Sequence, residues 1–164
     1  MTLKVLEKKH NRKGFSCGVV ELDNYIKQYV SQDVKRKLAV CYILGDEDAN
    51  VVAYYTLSSS RVDLNDIPDD LKGSLTYTEI PVVIIGRLAV HVDYQGNKLG
   101  QILLIDALKR IIEISALVGN HAVIVDPINE SAEKFYAKFG FVELKDSKRM
   151  FLPLKTIATL FETE

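Results

Sequence analysis

The chain has 164 residues, of which 48% are hydrophobic and 26% are charged. This length and composition predict one folded domain over residues 1–164, and they exclude a disordered or low-complexity chain. The longest apolar runs are far shorter than the roughly 20 residues of a membrane-spanning helix, so we expect a cytoplasmic protein without a membrane anchor. Cys17 and Cys41 lack metal-ligand spacing, which predicts two reduced thiols and no metal site.

The net charge of −1 is distributed unevenly along the chain. Residues 1–40 carry nine Lys or Arg against four acids, residues 41–81 two against eight, and residues 82–164 ten against ten. The basic first segment suits contact with a polyanion, and it suits an ordinary solvated surface equally well. Charge alone therefore does not choose a function.

The first half of the chain predicts a strand, a helix and a hairpin in that order. Apolar and charged residues alternate over residues 4–8, and apolar residues then recur at helical spacing over 22–30. Two β-branched and aromatic runs at 39–44 and 51–57 flank a polar turn, and we expect the second strand to end at 58–60. The acidic stretch 63–73 is predicted to be a loop or short helix.

The second half predicts a strand, a long helix and then shorter elements. An apolar strand over 81–90 precedes a helix whose apolar face runs from Leu103 to Ser115. We expect the later elements to be a strand at 121–125, a helix at 131–139 and strands at 141–144 and 149–154. The strand–helix–strand succession requires a parallel pair, whereas the hairpins require antiparallel pairs. The predicted fold class is therefore α+β, with a mixed, mostly antiparallel sheet flanked by helices.

The segment from Arg87 to Gly100 joins the buried strand to the long helix through a loop with two glycines. The backbone N–H groups of residues 96–101 are left unpaired at the helix start, where they can converge on phosphate oxygens. Many α/β proteins use such a turn only to reverse the chain. Taken alone, this segment is a weak signal for a diphosphate ligand.

This loop resembles the acetyl-coenzyme A motif of the GNAT acetyltransferase superfamily, with Gln95 and Gly100 in place and Lys98 where the motif has its first glycine. The resemblance implies a GNAT fold whose sheet is splayed at its central strands. It also implies that acetyl-coenzyme A is held by the loop and by the main chain of the preceding strand. The residues so implicated are Leu88, Ala89, Val90, Gln95, Gly96, Asn97, Lys98, Leu99, Gly100 and Gln101.

The run from Asn129 to Phe141 is similar to a second GNAT motif. By that resemblance Asn129 contacts the cofactor arm, and Tyr136 lies beside the thioester sulfur and protonates the departing thiolate. A phenol of pKa about 10 holds its proton at neutral pH and can still donate it. At helical spacing Ala132, Phe135 and Phe139 share one face, which predicts that Tyr136 points away from that core stripe.

Further segments resemble the GNAT toxins of bacterial toxin–antitoxin pairs over nearly the whole chain: Phe15-Ser-Cys-Gly, Leu22-Asp-Asn-Tyr, Tyr54-Tyr-Thr-Leu, Gly86-Arg-Leu-Ala-Val and Phe151-Leu-Pro-Leu. Those toxins acetylate the α-amine of aminoacyl-tRNA and are neutralised by a ribbon-helix-helix antitoxin. The resemblance implies the same substrate and partner here, in a protein that we expect to be a homodimer. Candidate substrate contacts are Arg87, Lys35, Arg36 and Lys37, and Lys145, Lys148 and Arg149 are further candidates for tRNA phosphates.

Two other readings remain open from the sequence. The first is a GNAT enzyme for a small-molecule amine or a protein N-terminus, with the acidic stretch 63–70 attracting a cationic acceptor. The second is a GNAT-like binding scaffold without catalysis. Glu79 and His91 flank the central strand as possible proton acceptors, although a surface carboxylate and a surface imidazole describe them as well.

Overall fold

A computed structural model describes residues 3–161. The helices are α1 (Val20–Asn24), α2 (Val30–Lys35), α3 (Asp69–Lys72), α4 (Leu99–Ser115), α5 (Glu130–Ala137) and α6 (Leu154–Phe161). A π-helical turn, Tyr25–Tyr29, joins α1 to α2, and short 3₁₀ turns occupy Leu64–Asp66 and Val92–Tyr94. Within residues 3–161, no helix is long and apolar enough to cross a membrane.

The strands form one sheet in the order β1-β2-β3-β4-β5-β7-β6. They are β1 (Leu3–Val5), β2 (Val40–Gly45), β3 (Val51–Asp63), β4 (Glu79–Val90), β5 (Ala122–Val125), β6 (Val142–Glu143) and β7 (Met150–Pro153). β4 and β5 are parallel, in register from Val82↔Ala122 to Ile85↔Val125, whereas β1–β2, β2–β3, β5–β7 and β6–β7 are antiparallel. The prediction of a mixed, mostly antiparallel sheet with flanking helices is confirmed.

Two compact units make up the chain, each with its own apolar cluster. The first unit comprises residues 1–58 and 86–107, and its cluster includes Phe15, Ile26, Cys41 and Tyr54. The second unit comprises residues 59–85 and 108–164, and its cluster includes Ile67, Ile80, Ile124 and Phe151. That the chain is a single domain stays a prediction.

The first strand ends at Val5 and not at residue 8, and two further sequence-based boundaries are wrong. β3 does not end at residues 58–60 but continues to Asp63, because Val62 is buried against the second cluster. The last strand stops at Pro153, and α6 follows it with Ile157 fully buried. Both errors come from tertiary packing that short apolar runs do not report.

Both cysteines are free and buried, as predicted. Burial raises the pKa of Cys17 to about 11 and that of Cys41 to about 12. Neither thiol therefore ionises at neutral pH, which excludes both as nucleophiles.

Candidate functional site

The second half of β4 extends past the end of its parallel neighbour, β5, before it reaches the turn. Pairing with β5 ends at Ile85↔Val125, and β4 continues through Leu88, Ala89 and Val90. Gly86 begins this stretch, and a side chain there would meet the Thr56 hydroxyl at 3.0 Å, so glycine allows β4 to approach buried Thr56. The main chain of residues 86–90 thus runs beyond the point where β5 pairs with it.

Gln95 acts as a brace for the turn that follows. Its side-chain amide nitrogen donates to the carbonyl of Cys17 at 2.8 Å and to the carbonyl of Val90 at 2.9 Å. Both amide hydrogens of Gln95 therefore bond to carbonyl groups of the protein. The side chain therefore ties the end of β4 to the N-terminal segment, and the turn is fixed in place by it.

The turn between Gln95 and α4 leaves a row of backbone donors open. Gly96 and Lys98 both have left-handed conformations, with φ of 86° and 60°. Across the described part of the chain, the N–H groups of residues 96–101 find no hydrogen-bond acceptor. Because α4 begins at Leu99, its dipole adds partial positive charge at the same place. This turn can accept a phosphate or diphosphate group.

Lys98 therefore has the backbone conformation that glycine adopts most readily. An L-residue in this region is disfavoured by roughly 1–2 kcal/mol. Lysine at this position preserves the geometry of the turn at some cost in stability, and it adds a positive charge where a phosphate would bind.

Arg87 is held on an aromatic ring. Its guanidinium carbon lies 3.6 Å from the ring centroid of Tyr25, and the Tyr25 hydroxyl donates to Asp33 at 2.8 Å. Within residues 3–161 the guanidinium has no ion pair and no hydrogen-bond acceptor. Stacking over a ring face leaves the N–H edges of a guanidinium available to an anion. The sequence predicts Tyr25 on a helix face and in a segment that resembles the GNAT toxins, and only the fold reveals its contact with Arg87.

Asn129 caps α5 in the second unit. Its side-chain oxygen accepts a hydrogen bond from the backbone N–H of Ala132 at 2.8 Å. Its amide nitrogen has no partner among the residues that the structure describes. One end of this side chain is thus structural, and the other remains able to donate to a ligand.

Tyr136 is the buried residue of α5, at 8% exposure, whereas Phe135 and Phe139 are only half buried. The prediction that Tyr136 points away from the core stripe is wrong. Its ring packs edge-on against Phe135 and Phe141, with centroids 5.2 and 5.4 Å away. Phe141 lies after the helix, so helical spacing alone did not include it.

The Tyr136 hydroxyl has no hydrogen-bond partner in the described chain. Burial raises the pKa of Tyr136 well above the ordinary value of a phenol. The side chain is therefore protonated at neutral pH, which is the state that a general acid requires.

His91 and Glu79, the two possible proton acceptors, lie in different surroundings. The Nδ1 atom of His91 accepts from the backbone N–H of Asp93 at 3.1 Å, and Nε2 lies 3.1 Å from the Gly14 carbonyl, to which it donates. Both ring nitrogens are then occupied, which favours a structural role over proton transfer. Glu79 is exposed at the first residue of β4.

The two sets of basic residues differ in their partners. Lys35 ends α2, and Lys35, Arg36 and Lys37 are all exposed. The C-terminal candidates are ion-paired: Lys145 to Asp69 at 2.8 Å, Lys148 to Glu133 at 3.9 Å and Arg149 to Asp126 at 2.8 Å. The fold therefore neutralises the C-terminal set within the second unit.

A strand that extends past the end of its parallel neighbour, followed by a turn of open N–H groups at a helix start, is an arrangement that can bind a phosphate-containing cofactor. The profile of the acetyltransferase (GNAT) domain matches residues 38–143. The chain belongs to the GNAT acetyltransferase family. It is an N-acetyltransferase that uses acetyl-coenzyme A as the acetyl donor.

Similar proteins include named toxins. The chain is 29% identical over 147 residues to a tRNA-acetylating toxin of Mycobacterium tuberculosis, covering 89% of this chain and 87% of that protein. It superposes on the toxin AtaT complexed with acetyl-methionyl-tRNAfMet with a TM-score of 0.91, 29% identity and 98% of each chain covered. A tyrosine-to-phenylalanine mutant of AtaT bound to the C-terminus of the antitoxin AtaR matches with a TM-score of 0.83 and 28% identity, covering 98% of this chain and 97% of that one.

Proposed function

We propose that this acetyltransferase transfers the acetyl group to the α-amine of the amino acid on charged tRNA and thereby blocks translation. The observation that carries this proposal is the likeness, over 98% of the chain, to AtaT in complex with an acetylated aminoacyl-tRNA. The chemistry is compatible, since an α-amine has a pKa of about 8 and a substantial fraction of it is already neutral under physiological conditions. A lysine acceptor, with a pKa of about 10.4, would need a stronger base.

We assign the contacts with acetyl-coenzyme A to the turn, to the end of β4 and to Asn129. The N–H groups of residues 96–101 bind the diphosphate, and the main chain of residues 88–90 lines the pantetheine arm. The amide nitrogen of Asn129 donates to the same arm. Gln95 supports this site as a brace of the turn.

The reaction requires one proton donor on the enzyme. The neutral amine attacks the thioester carbonyl, a carbon–nitrogen bond forms and the carbon–sulfur bond breaks. Tyr136 donates its proton to the departing thiolate, and the new amide loses the extra proton of the amine to solvent. Support for this role comes from the unpartnered hydroxyl of Tyr136 among the described residues, and burial keeps this hydroxyl protonated at neutral pH.

The acceptor is contacted by cations of the first unit. Arg87, stacked on Tyr25, has its N–H edges open to a phosphate of the acceptor. Lys35, Arg36 and Lys37 extend the positive surface at the end of α2. The C-terminal basic residues are instead paired with carboxylates of the second unit.

An antitoxin regulates the enzyme under this proposal, in line with the complex of AtaT and AtaR. A ribbon-helix-helix class for that antitoxin, a homodimeric enzyme and a cytoplasmic location belong to the same proposal. The cytoplasmic location follows from the substrate, because charged tRNA is used there.

The acidic stretch favours no second acceptor. Asp69 pairs with Lys145 at 2.8 Å and with Lys72 at 3.1 Å, so part of its charge is neutralised by the protein. A pocket for a cationic small molecule would instead present carboxylates without partners. The other three acids of residues 63–70, Asp63, Asp66 and Asp70, form no ion pair among the described residues, so the small-amine alternative stays open.

The test is transfer of label from radiolabelled acetyl-coenzyme A to total charged bacterial tRNA. We expect alkaline hydrolysis to release labelled N-acetyl amino acid, and deacylated tRNA from the same preparation to remain unlabelled. If acetyl-coenzyme A binds and is consumed with small amines while charged tRNA stays unlabelled, the tRNA proposal is wrong.

A further inference from the structure

Five cationic side chains line one cavity of about 530 Å³ in the first unit. They are Lys8, Lys9, Arg12, Lys13 and Lys27, and we call their surface the basic cavity. Its other lining residues are His10 and Asn11, so its lining has no acidic and no aliphatic side chain. This composition distinguishes it from an apolar ligand pocket.

The backbone of the basic cavity is fixed by the fold. Asn11 donates its N–H to the Ala49 carbonyl at 2.7 Å and accepts from the N–H of Val51 at 2.9 Å. The buried imidazole of His10 accepts the N–H of Glu7 at 2.9 Å. The Asn11 side chain accepts the N–H of Lys13 at 3.1 Å. Four of the five cations therefore project from a segment that is already ordered, and Lys27 projects from the π-helical turn Tyr25–Tyr29.

The charges of the basic cavity are largely uncompensated. Among the described residues, Lys8, Lys13 and Lys27 form no ion pair. Arg12 donates to the Ser31 hydroxyl at 2.7 Å and to the Ile26 carbonyl at 3.3 Å, neither of which carries charge. Lys9 lies 4.0 Å from Glu7, and both side chains are more than half exposed, where such a pair contributes little.

The contrast with the other basic set is chemical. Lys145 and Arg149 each have a carboxylate partner at 2.8 Å, whereas the Lys148–Glu133 pair is long, at 3.9 Å, like the Lys9–Glu7 pair at 4.0 Å. A polyanion that binds them must replace those partners, whereas the basic cavity offers cations that only counterions and water neutralise. When such cations bind phosphates, they release the counterions condensed on a nucleic-acid backbone, which drives much of the binding.

The basic cavity continues towards the end of α2. Lys8 and Arg12 also line a neighbouring cavity of about 440 Å³, which includes Lys35. Positive side chains therefore follow one another from Lys27 through Arg12 to Lys35 on the first unit. A chain with regularly spaced anions fits this arrangement better than a single small anion does.

We propose that the basic cavity binds consecutive backbone phosphates of an RNA, with Arg12 contacting both this cavity and the neighbouring one that contains Lys35. The choice of RNA rests on the proposed function. An acidic peptide is the other polyanion to consider, but peptide interfaces depend on apolar anchors, and the lining of the basic cavity has none.

The experiment measures the dissociation constant of the whole protein for uncharged bacterial tRNA without acetyl-coenzyme A, over a series of salt concentrations. The test variant is Lys13→Gln with Lys27→Gln, and the matched control is Lys145→Gln with Lys148→Gln. Both pairs remove two exposed lysine charges from the surface. Urea denaturation of each variant checks that folding is retained.

We expect the Lys13/Lys27 variant to bind tRNA roughly tenfold more weakly at low salt. The slope of log K against log salt should become shallower by about 1 to 2, since each lost phosphate contact removes about 0.7 to 0.9. The Lys145/Lys148 control should retain the wild-type slope. Coenzyme A should bind both variants as it binds the wild type.

Equal slopes for the wild type and the Lys13/Lys27 variant would overturn the basic cavity as an RNA site. So would the absence of tRNA binding by the wild type, or a loss of affinity for poly-glutamate alone. If the cavity contributes to tRNA binding while charged tRNA is not acetylated, the inference stands and the proposed function fails.

Discussion

The hydroxyl oxygen of Tyr136 is needed for proton donation, whereas the ring is needed for packing, so one substitution can separate the two roles. Tyr136→Phe removes the hydroxyl and keeps the ring against Phe135 and Phe141. We expect kcat to fall by roughly 10²- to 10⁴-fold, the usual contribution of a general acid, with coenzyme A affinity unchanged. Steady-state kinetics and coenzyme A titration test this, with Tyr77→Phe at a 77% exposed tyrosine as the control. Unchanged turnover in Tyr136→Phe would remove this residue from the mechanism.

The pH profile gives an independent measure of the same residue. Because burial raises the pKa of Tyr136, the donor stays protonated through pH 9 and above. The rate should therefore rise with pH as the acceptor amine loses its proton near pH 8, and then level off. A decline between pH 8 and 9 would indicate a different proton donor.

Lys98 is the residue whose substitution should improve stability. Its φ of 60° is one that glycine adopts at no steric cost, although glycine also loosens the unfolded chain. We expect Lys98→Gly to raise the free energy of unfolding by about 0.5–1 kcal/mol in urea denaturation. The control is Lys138→Gly, at a right-handed φ of −61°, which should lower it. Destabilisation of similar size in both variants would contradict the account of Lys98.

At the scale of the element, α5 depends on a cap that is also a candidate cofactor contact. Asn129→Ala removes both the capping oxygen and the amide nitrogen, whereas Asn129→Asp removes only the nitrogen. Asn129→Ala should lose about 1 kcal/mol of unfolding free energy, and Asn129→Asp should lose little. Both variants should bind coenzyme A more weakly by isothermal titration. Wild-type affinity in Asn129→Asp would leave Asn129 with the capping role alone.

The same helix marks how far the sequence predicted this molecule. Periodicity predicted α4, because this helix is long and has one apolar face. Periodicity did not predict that Tyr136 is buried. Its ring packs against Phe141, which lies after α5, and a helix of eight residues is too short for its apolar spacing to identify the buried face reliably. Motif spacing identified the 95–101 turn. It could not predict the two hydrogen bonds of the Gln95 amide nitrogen or the stacking of Arg87 on Tyr25, because these contacts join residues that are distant in sequence or depend on the fold.

At the scale of the whole molecule, the distribution of charge is more informative than its sum. A net charge of −1 argues against nucleic-acid binding, yet residues 1–40 hold an excess of cations whose carboxylate partners are few. The acids of residues 63–70 include Asp69, which neutralises Lys72 and Lys145 of its own unit. A protein of near-zero net charge can therefore have a strongly positive local surface, because its acidic residues are paired with other basic residues or lie in other segments.

Cooperativity of unfolding tests whether the two compact units form one domain. The divisions between the units fall inside β3, β4 and α4, so each of these elements contributes residues to both. Unfolding one unit alone would cut two strands and a helix mid-length and leave their hydrogen bonds open, which is costly. We therefore expect one two-state transition in urea. Hydrogen exchange in β2 and in β7 should then give the same opening free energy. Coenzyme A at 100 times its dissociation constant should raise the opening free energy of each strand by about 2.7 kcal/mol. Two separate transitions, or protection by coenzyme A confined to one unit, would show that the chain contains two domains.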